Sequence, residues 1–141
     1  MAENPYMLLG GETGVRALAN AFYDVMDEEQ SAEKIRNMHG DNLSEIKEKL
    51  YEYLSGWMGG PPLYSQKHGT VCLTDPHAHY HIGPDERDQW LMCMDKALEK
   101  IDASDELKEM LHVPMRRLAN AVQNQESSDI PDRDPSIIAV G

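Results

Sequence analysis

Apolar side chains recur at helical spacing in four long stretches of this chain, and no stretch shows the strict alternation typical of a strand. The first stretch starts after Thr13, a predicted N-cap, and ends on the charged turn at residues 27–29. Helical spacing brings Val15, Leu18, Phe22, Val25 and Met26 to one face. Tyr23 lies beside this face rather than opposite it, so the pattern predicts a polar ring next to the core.

The second stretch has a well-marked amphipathic pattern. Asn42 and Glu45 have the spacing of a capping box, with asparagine in place of Ser or Thr, so we expect a helix to begin there. Its predicted apolar face contains Leu43, Ile46, Leu50, Tyr53, Leu54 and Trp57. Its predicted solvent face contains Glu45, Lys47, Glu48, Lys49 and Glu52. The run at residues 59–62, Gly-Gly-Pro-Pro, ends the helix.

The third stretch has the clearest start. Gly83 breaks the preceding segment, and Pro84 is pre-organised for the first helical position. Asp85 and Glu86 put negative charge where the helix dipole favours it. We therefore predict a helix over residues 84–101, with a buried face formed by Trp90, Leu91, Met94, Ala97, Leu98 and Ile101.

The fourth stretch predicts a helix from about Asp105 to Gln125. Pro114 should kink it, because the proline ring clashes with the carbonyl four residues earlier and donates no hydrogen bond. The predicted inward residues are Leu107, Met110, Leu111, Leu118 and Val122.

Shorter segments connect these helices. Residues 1–12 are expected to be a lead-in interrupted by Pro5 and two glycines. Ser31 is a candidate cap for a short helix. Residues 63–82 show no clear period, and we interpret them as loop and short helix; a segment of that length with little structure usually serves a function.

The chain is thus predicted to be all-α, with residues 1–125 as one domain. Residues 126–141 change to Ser, Asp and Pro and are predicted to be a disordered tail outside the fold. The net charge of −12 and the absence of a long apolar run argue against nucleic acid and membrane binding, and favour a cytoplasmic protein. Cys72 and Cys93 are expected to be buried thiols rather than a disulfide framework.

Candidate metal ligands come from the histidines at alternate positions, His77, His79 and His81. In an extended segment all three would share one face and could bind zinc or non-haem iron. In a helical chain only one would point at a given centre, as a haem requires. A third interpretation is an acidic helical interaction module without metal.

The order of several short motifs distinguishes these interpretations. Along the chain the motifs are Phe22-Tyr23, Gly59-Gly60-Pro61, Tyr64-Ser65, His77-Ala78, Tyr80, Ile82, Glu86-Arg87-Asp88, Trp90-Leu91 and Cys93-Met94. In this order they resemble the truncated haemoglobins, closest to the second group, the O type. The resemblance covers about residues 6–122 and implies a two-over-two globin sandwich that binds haem b. No C-x-x-C-H sequence is present for covalent attachment.

The resemblance assigns His77 as the proximal iron ligand and Tyr23 and Trp90 to the distal side. Ile46 and Leu50 would face the distal pocket. His39 or Met38 occupies the corner where the family often has a tyrosine or a bulky residue. The other residues expected to contact haem are Leu54, Tyr64, Lys67, Tyr80, Ile82 and Met94.

One position departs from the family pattern. Pro76 stands where close relatives have an arginine that pairs with a haem propionate. That contact must come from elsewhere in this chain, and the candidates are Tyr64, Lys67, His68 and His79.

The implied function is reversible binding of O2 and other diatomic gases, with the Tyr23 hydroxyl and the Trp90 indole N–H as hydrogen-bond donors. Storage or sensing of O2, conversion of NO to nitrate and turnover of peroxide all fit such a site. An unidentified reductase would supply electrons, and the protein is expected to be a monomer or a weak dimer.

Overall fold

A computed structural model describes residues 4–69 and 81–124. The helices are α1 (Pro5–Leu9), α2 (Glu12–Glu28), α3 (Glu33–Arg36), α4 (Ser44–Trp57), α5 (Leu63–His68), α6 (Pro84–Lys100) and α7 (Asp105–Val122), with a 3-10 turn at Gln30–Ala32. The described residues contain no strand, and the all-α prediction is confirmed.

Helix α2 is the centre of the fold. It packs against α4 on one side and against α6 on the other, and α6 also packs against α7. The fully buried side chains of Leu18, Phe22 and Met26 on α2 join Leu54 of α4 and Met94 of α6 in one core. Helix α4 has no comparable contact with α6 or α7, so the two pairs, α2 with α4 and α6 with α7, are open along one side.

The N-terminal segment is more ordered than its pattern predicts. Pro5 occupies the first position of α1 instead of breaking the chain, and the Asn4 side chain accepts a hydrogen bond from the Met7 N–H at 2.8 Å. The ring of Tyr6 lies so close to Gly60 that a Cβ there would come within 2.3 Å of it. The prediction that Thr13 caps α2 is wrong, because the docked α1 lets α2 begin at Glu12.

The two predicted helix starts have different outcomes. Helix α6 begins at Pro84 as predicted, and the Glu86 carboxylate also accepts a hydrogen bond from the Gly83 N–H at 2.8 Å. At α4 the Asn42 side chain accepts from the Ser44 N–H at 2.9 Å, while Glu45 contacts Lys49 instead. The predicted capping box is therefore wrong, because α4 begins two residues after Asn42 and Glu45 lies in its first turn.

Of the predicted apolar face of α4, only Leu54 is fully buried. Its buried residues are Tyr51, Glu52, Leu54 and Ser55. Its apolar stripe, which we define as Ile46, Leu50, Tyr53 and Trp57, remains only half-buried. The prediction of Glu52 on the solvent face is wrong, because α5 folds back over that position and supplies partners for the carboxylate.

The end of α7 also differs from the prediction. The helix continues through Pro114 but ends at Val122 rather than Gln125. Asn124 accounts for the difference, because its backbone N–H donates to the Ile82 carbonyl and its side chain accepts from the Ile82 N–H, both at 2.9 Å. These bonds tie the end of α7 to the segment that precedes α6.

Cys93 is fully buried, and burial raises the pKa of its thiol to about 11, as expected for a core residue. Within residues 4–69 and 81–124 no helix has both the length and the hydropathy needed to cross a bilayer. The predictions for Cys72, His77, His79, Tyr80 and the tail fall on residues outside the described ranges.

Candidate functional site

A row of aromatic rings connects three separate parts of the chain. Trp90 of α6 contacts Phe22 of α2 with ring centroids 5.5 Å apart, and Phe22 meets Tyr23 edge to face at 4.9 Å. Tyr23 in turn meets His39 edge to face at 5.5 Å. The fold thus assembles the predicted distal residues Tyr23, Trp90 and His39 into one continuous group.

Tyr23 has the environment of a hydrogen-bond donor to a ligand. Its side chain is buried, and burial raises the pKa of its hydroxyl well above the usual range, so the group stays protonated. The hydroxyl makes no hydrogen bond to any of residues 4–69 or 81–124. Because every fully buried polar side-chain atom in that part of the chain has a partner, this hydroxyl must reach open space.

His39 is held by the backbone of the short helix before it. Its Nδ1 lies 2.8 Å from the carbonyl oxygen of Ile35. A carbonyl can only accept, so Nδ1 carries the proton and donates.

The apolar stripe of α4 borders a cavity. A space of about 460 Å³ separates Tyr53 and Trp57 of α4 from α7. That volume is within the usual range for cofactor sites. The remaining lining residues are Pro5, Met110, Leu111, Pro114, Arg117 and Leu118. Sequence analysis missed all of these as site residues, because they form a single surface only after α1, α4 and α7 come together.

Two of the predicted propionate partners are already engaged by a buried acid. Glu52 is 5% exposed and contacts Lys67 Nζ at 3.1 Å and His68 Nε2 at 3.0 Å. Burial acts to raise the pKa of Glu52, but the hydrogen bonds from His68 and Lys67 outweigh it, and the pKa is lower than usual. Tyr64 packs on His68 with ring centroids 4.6 Å apart and lies 6.3 Å from Tyr53, beside the cavity.

Comparison with known proteins identifies the family of this arrangement. The bacterial-like globin family matches residues 4–124. The fold is similar to a cold-adapted truncated haemoglobin from Pseudoalteromonas haloplanktis, with a TM-score of 0.84 and 40% identity over 88% of this chain and all of that one. It is similar to a group II 2-on-2 haemoglobin from Agrobacterium tumefaciens, with a TM-score of 0.83 and 41% identity over 89% of this chain and 97% of that one.

This chain belongs to the group 2 truncated haemoglobins. A third relative, the group 2 truncated haemoglobin of Bacillus subtilis, is 28% identical over 125 residues, which are 89% of this chain and 92% of that protein. The predicted fold, a two-over-two globin sandwich, is confirmed. Family membership supports a haem-based ligand-binding function.

The expected site residues of this truncated haemoglobin lie in two kinds of position. Leu54 and Met94 are fully buried in the core, and Ile82, which precedes α6, is buried where it bonds Asn124. Ile46, Leu50, Tyr64 and Trp90 are half-buried, while Lys67 is exposed. Among the described residues no three His, Cys, Asp or Glu side chains are grouped as a metal site. His77 and His79 lie outside the described residues. His81 is the first described residue of the range 81–124 and is half-buried.

Proposed function

We propose that this protein binds haem b against the apolar stripe of α4, with His77 as the iron ligand, and that O2 or another diatomic gas binds on the side of Tyr23 and Trp90. The observation that carries the proposal is the Tyr23 hydroxyl, a protonated donor in a buried position that reaches open space. The sequence motif that begins at His77 supports the ligand assignment.

The residues of the chain fit a flat apolar cofactor. A helix normally buries its apolar face, but α4 leaves Ile46, Leu50, Tyr53 and Trp57 half-buried. Two of these side chains, Tyr53 and Trp57, line the cavity, so an apolar cofactor could pack against them. Ferrous haem supplies an iron with one position open to a diatomic gas. Ile46 and Leu50 would keep water from the distal side, and a neutral imidazole at His77 would complete the site.

The distal donors define what the chain adds to gas binding. The Tyr23 hydroxyl and the Trp90 indole N–H can each donate a hydrogen bond to a polarised diatomic ligand. Because Phe22 lies between their rings, both side chains are held by the core rather than by solvent-exposed loops. Preformed donors need no reorganisation when the gas binds. They should therefore slow the dissociation of O2 more than that of CO, which is a weaker acceptor.

The charged ends of haem need cationic or hydroxyl partners, and Tyr64, Lys67 and His68 on α5 are the proposed ones. Glu52 holds Lys67 and His68 in place but also offsets positive charge on them. We therefore assign Tyr64 and Lys67 the larger share of propionate binding, since Lys67 is exposed and can reach outwards while Glu52 remains bonded to His68.

Conversion of NO to nitrate or turnover of peroxide would follow from the same pocket. Each of these reactions oxidises the site and needs electrons for the next turnover. A separate reductase is therefore the proposed partner for either activity, and O2 binding is the property that requires none.

An absorption spectrum of the purified protein tests the proposal. A strong Soret band whose ferrous form shifts on exposure to O2 and to CO is the expected result, and the pyridine haemochrome spectrum should be that of haem b. A colourless protein with stoichiometric zinc would overturn it in favour of the three-histidine site. A colourless protein without metal would overturn it in favour of the interaction module.

A further inference from the structure

Helix α7 carries Lys and Arg side chains that form no ion pair with the described residues of this acidic protein. The chain has 13 Lys and Arg residues against 25 Asp and Glu, and Arg133 alone of the 13 lies outside the described ranges. Nine of the other 12 form ion pairs with carboxylates. Within the described ranges, the three whose side chains form no ion pair or hydrogen bond are all on α7: Lys108, Arg116 and Arg117.

Two of these cations and a histidine converge on one place. Lys108, His112 and Arg116 are four residues apart along α7, so they lie on the same side of the helix. All three line a cavity of about 30 Å³ between α6 and α7. Its apolar lining is formed by Leu91, Leu98, Leu111 and Met115.

One acid lines the same cavity. Asp95 of α6 reaches it but forms no ion pair with Lys108, His112 or Arg116 within 4 Å. Lys108 and Arg116 together with Asp95 carry a net charge of +1. Nine of the described cations are paired with carboxylates, whereas the Lys108 and Arg116 side chains at this cavity have no acceptor among the described residues.

We propose that Lys108, His112 and Arg116 form a binding site for a small oxyanion, distinct from the haem site. Three cationic or imidazole donors that converge from one helix face match the acceptor oxygens of a phosphate group. The cavity has room for about two water molecules, so it can seat one compact group but not an extended ligand. The ligand is therefore inorganic phosphate or the terminal phosphoryl group of a larger molecule.

The affinity of the haem-loaded protein for inorganic phosphate tests this site. The ring proton resonances of His112 should shift saturably as phosphate replaces chloride at constant pH and ionic strength. Lys108→Gln and Arg116→Gln should each weaken phosphate binding about two- to fivefold, the range for exposed charge pairs, and the double variant about tenfold. Asp95→Asn should strengthen it about two- to fivefold, because a carboxylate beside the anion is removed.

Lys100→Gln is the matched control. It removes the same charge from α6, where Lys100 is paired with Glu28, and should leave phosphate binding unchanged. A shift of His112 that does not saturate, or one that Lys100→Gln reduces as much as Lys108→Gln does, would overturn the proposal. Adenosine monophosphate in place of phosphate distinguishes the two sources: tighter binding assigns the terminal group of a nucleotide, and equal or weaker binding assigns free phosphate.

Discussion

Tyr23 on α2 and Glu52 on α4 are equally buried, each about 5% exposed, but their polar atoms have different surroundings. The Glu52 carboxylate contacts Lys67 and His68 at 3.1 and 3.0 Å. The Tyr23 hydroxyl has no hydrogen-bond partner among the described residues and reaches open space. A buried polar group normally has a partner, because an unpaired one costs about 1–3 kcal/mol. The paired group therefore serves the fold, and the one left unpaired by the protein is the candidate for function.

The largest expected effect is the loss of haem, without which Tyr23 would have no bound gas to contact. His77→Ala should abolish stable haem binding or leave a weakly held haem that added imidazole restores, because the variant lacks the proposed iron ligand. The measurement is the Soret absorbance per protein after gel filtration. His79→Ala and His81→Ala are the controls and should retain haem. Loss of haem in His79→Ala with retention in His77→Ala would show that the site assignment is wrong.

The next largest effect concerns Tyr23 and Trp90 as donors. A hydrogen bond to a polarised acceptor in a dry pocket is worth roughly 1.5–3 kcal/mol, so Tyr23→Phe and Trp90→Phe should each weaken O2 binding about ten- to a hundredfold. The loss should appear as faster O2 dissociation in stopped-flow measurements. CO is a weaker acceptor, and its dissociation should change much less.

The double variant of Tyr23 and Trp90 sharpens this result. If both donors contact the same ligand atom, their effects on O2 dissociation should not add. Tyr23→Phe should also leave the midpoint of thermal unfolding almost unchanged, because its hydroxyl makes no hydrogen bond to residues 4–69 or 81–124. Unchanged O2 dissociation in both single variants would mean that neither residue touches the ligand.

Glu52 should show the opposite behaviour to Tyr23. Glu52→Gln should lower the free energy of unfolding by about 1–3 kcal/mol, because it weakens two charge-assisted hydrogen bonds. The pKa of Glu52 is lowered in the folded protein, so its contribution to stability is present above the unfolded pKa and is lost as the pH falls through the folded value. The difference between parent and variant should therefore vanish in acid. Urea unfolding at pH 7 and at acid pH measures both.

Glu45→Gln is the control for this comparison. Glu45 is exposed on the same helix and lies 3.7 Å from Lys49, so its loss should cost no more than about 0.5 kcal/mol. Equal effects of Glu45→Gln and Glu52→Gln would show that the Glu52 pairs are not structural. O2 dissociation from haem-loaded Glu52→Gln should stay close to that of the parent.

A smaller effect is expected at the end of the aromatic row. His39 contacts Tyr23 edge to face, and we propose that its imidazole can approach the iron when no gas is bound. The ferric protein should then show a low-spin, six-coordinate spectrum that becomes five-coordinate or water-bound in His39→Ala. Identical spectra for parent and variant would dispose of this role and leave His39 as a packing partner of Tyr23.

The smallest effect is expected from the tail. Residues 126–141 are polar and contain proline, so their deletion should leave the Soret spectrum and the melting temperature nearly unchanged. Differential scanning calorimetry of the haem-loaded protein checks this. A fall of several degrees would show that the tail docks on the folded domain.

The sequence alone was enough to predict features that depend on residues close together in the chain. The start of α6 follows from Gly83, Pro84 and Glu86, because a cap involves atoms within one turn of each other. The apolar stripe of α4 was also visible in the sequence, since helical periodicity needs no knowledge of the partner. The order of motifs around Tyr23 and Trp90 was enough to identify the family.

Only the tertiary structure decided which face of α4 is buried. Helical periodicity predicts Glu52 on the solvent face. Lys67 and His68 come from another helix, and their contacts offset the free-energy cost of burying the carboxylate. The tertiary structure also decided the row of aromatic rings from Trp90 to His39 and the cavity lined by Trp57. The residues that form each of them are far apart in the chain. The physical reason is that periodicity records where apolar groups are, whereas burial depends on which distant groups the fold brings to meet them.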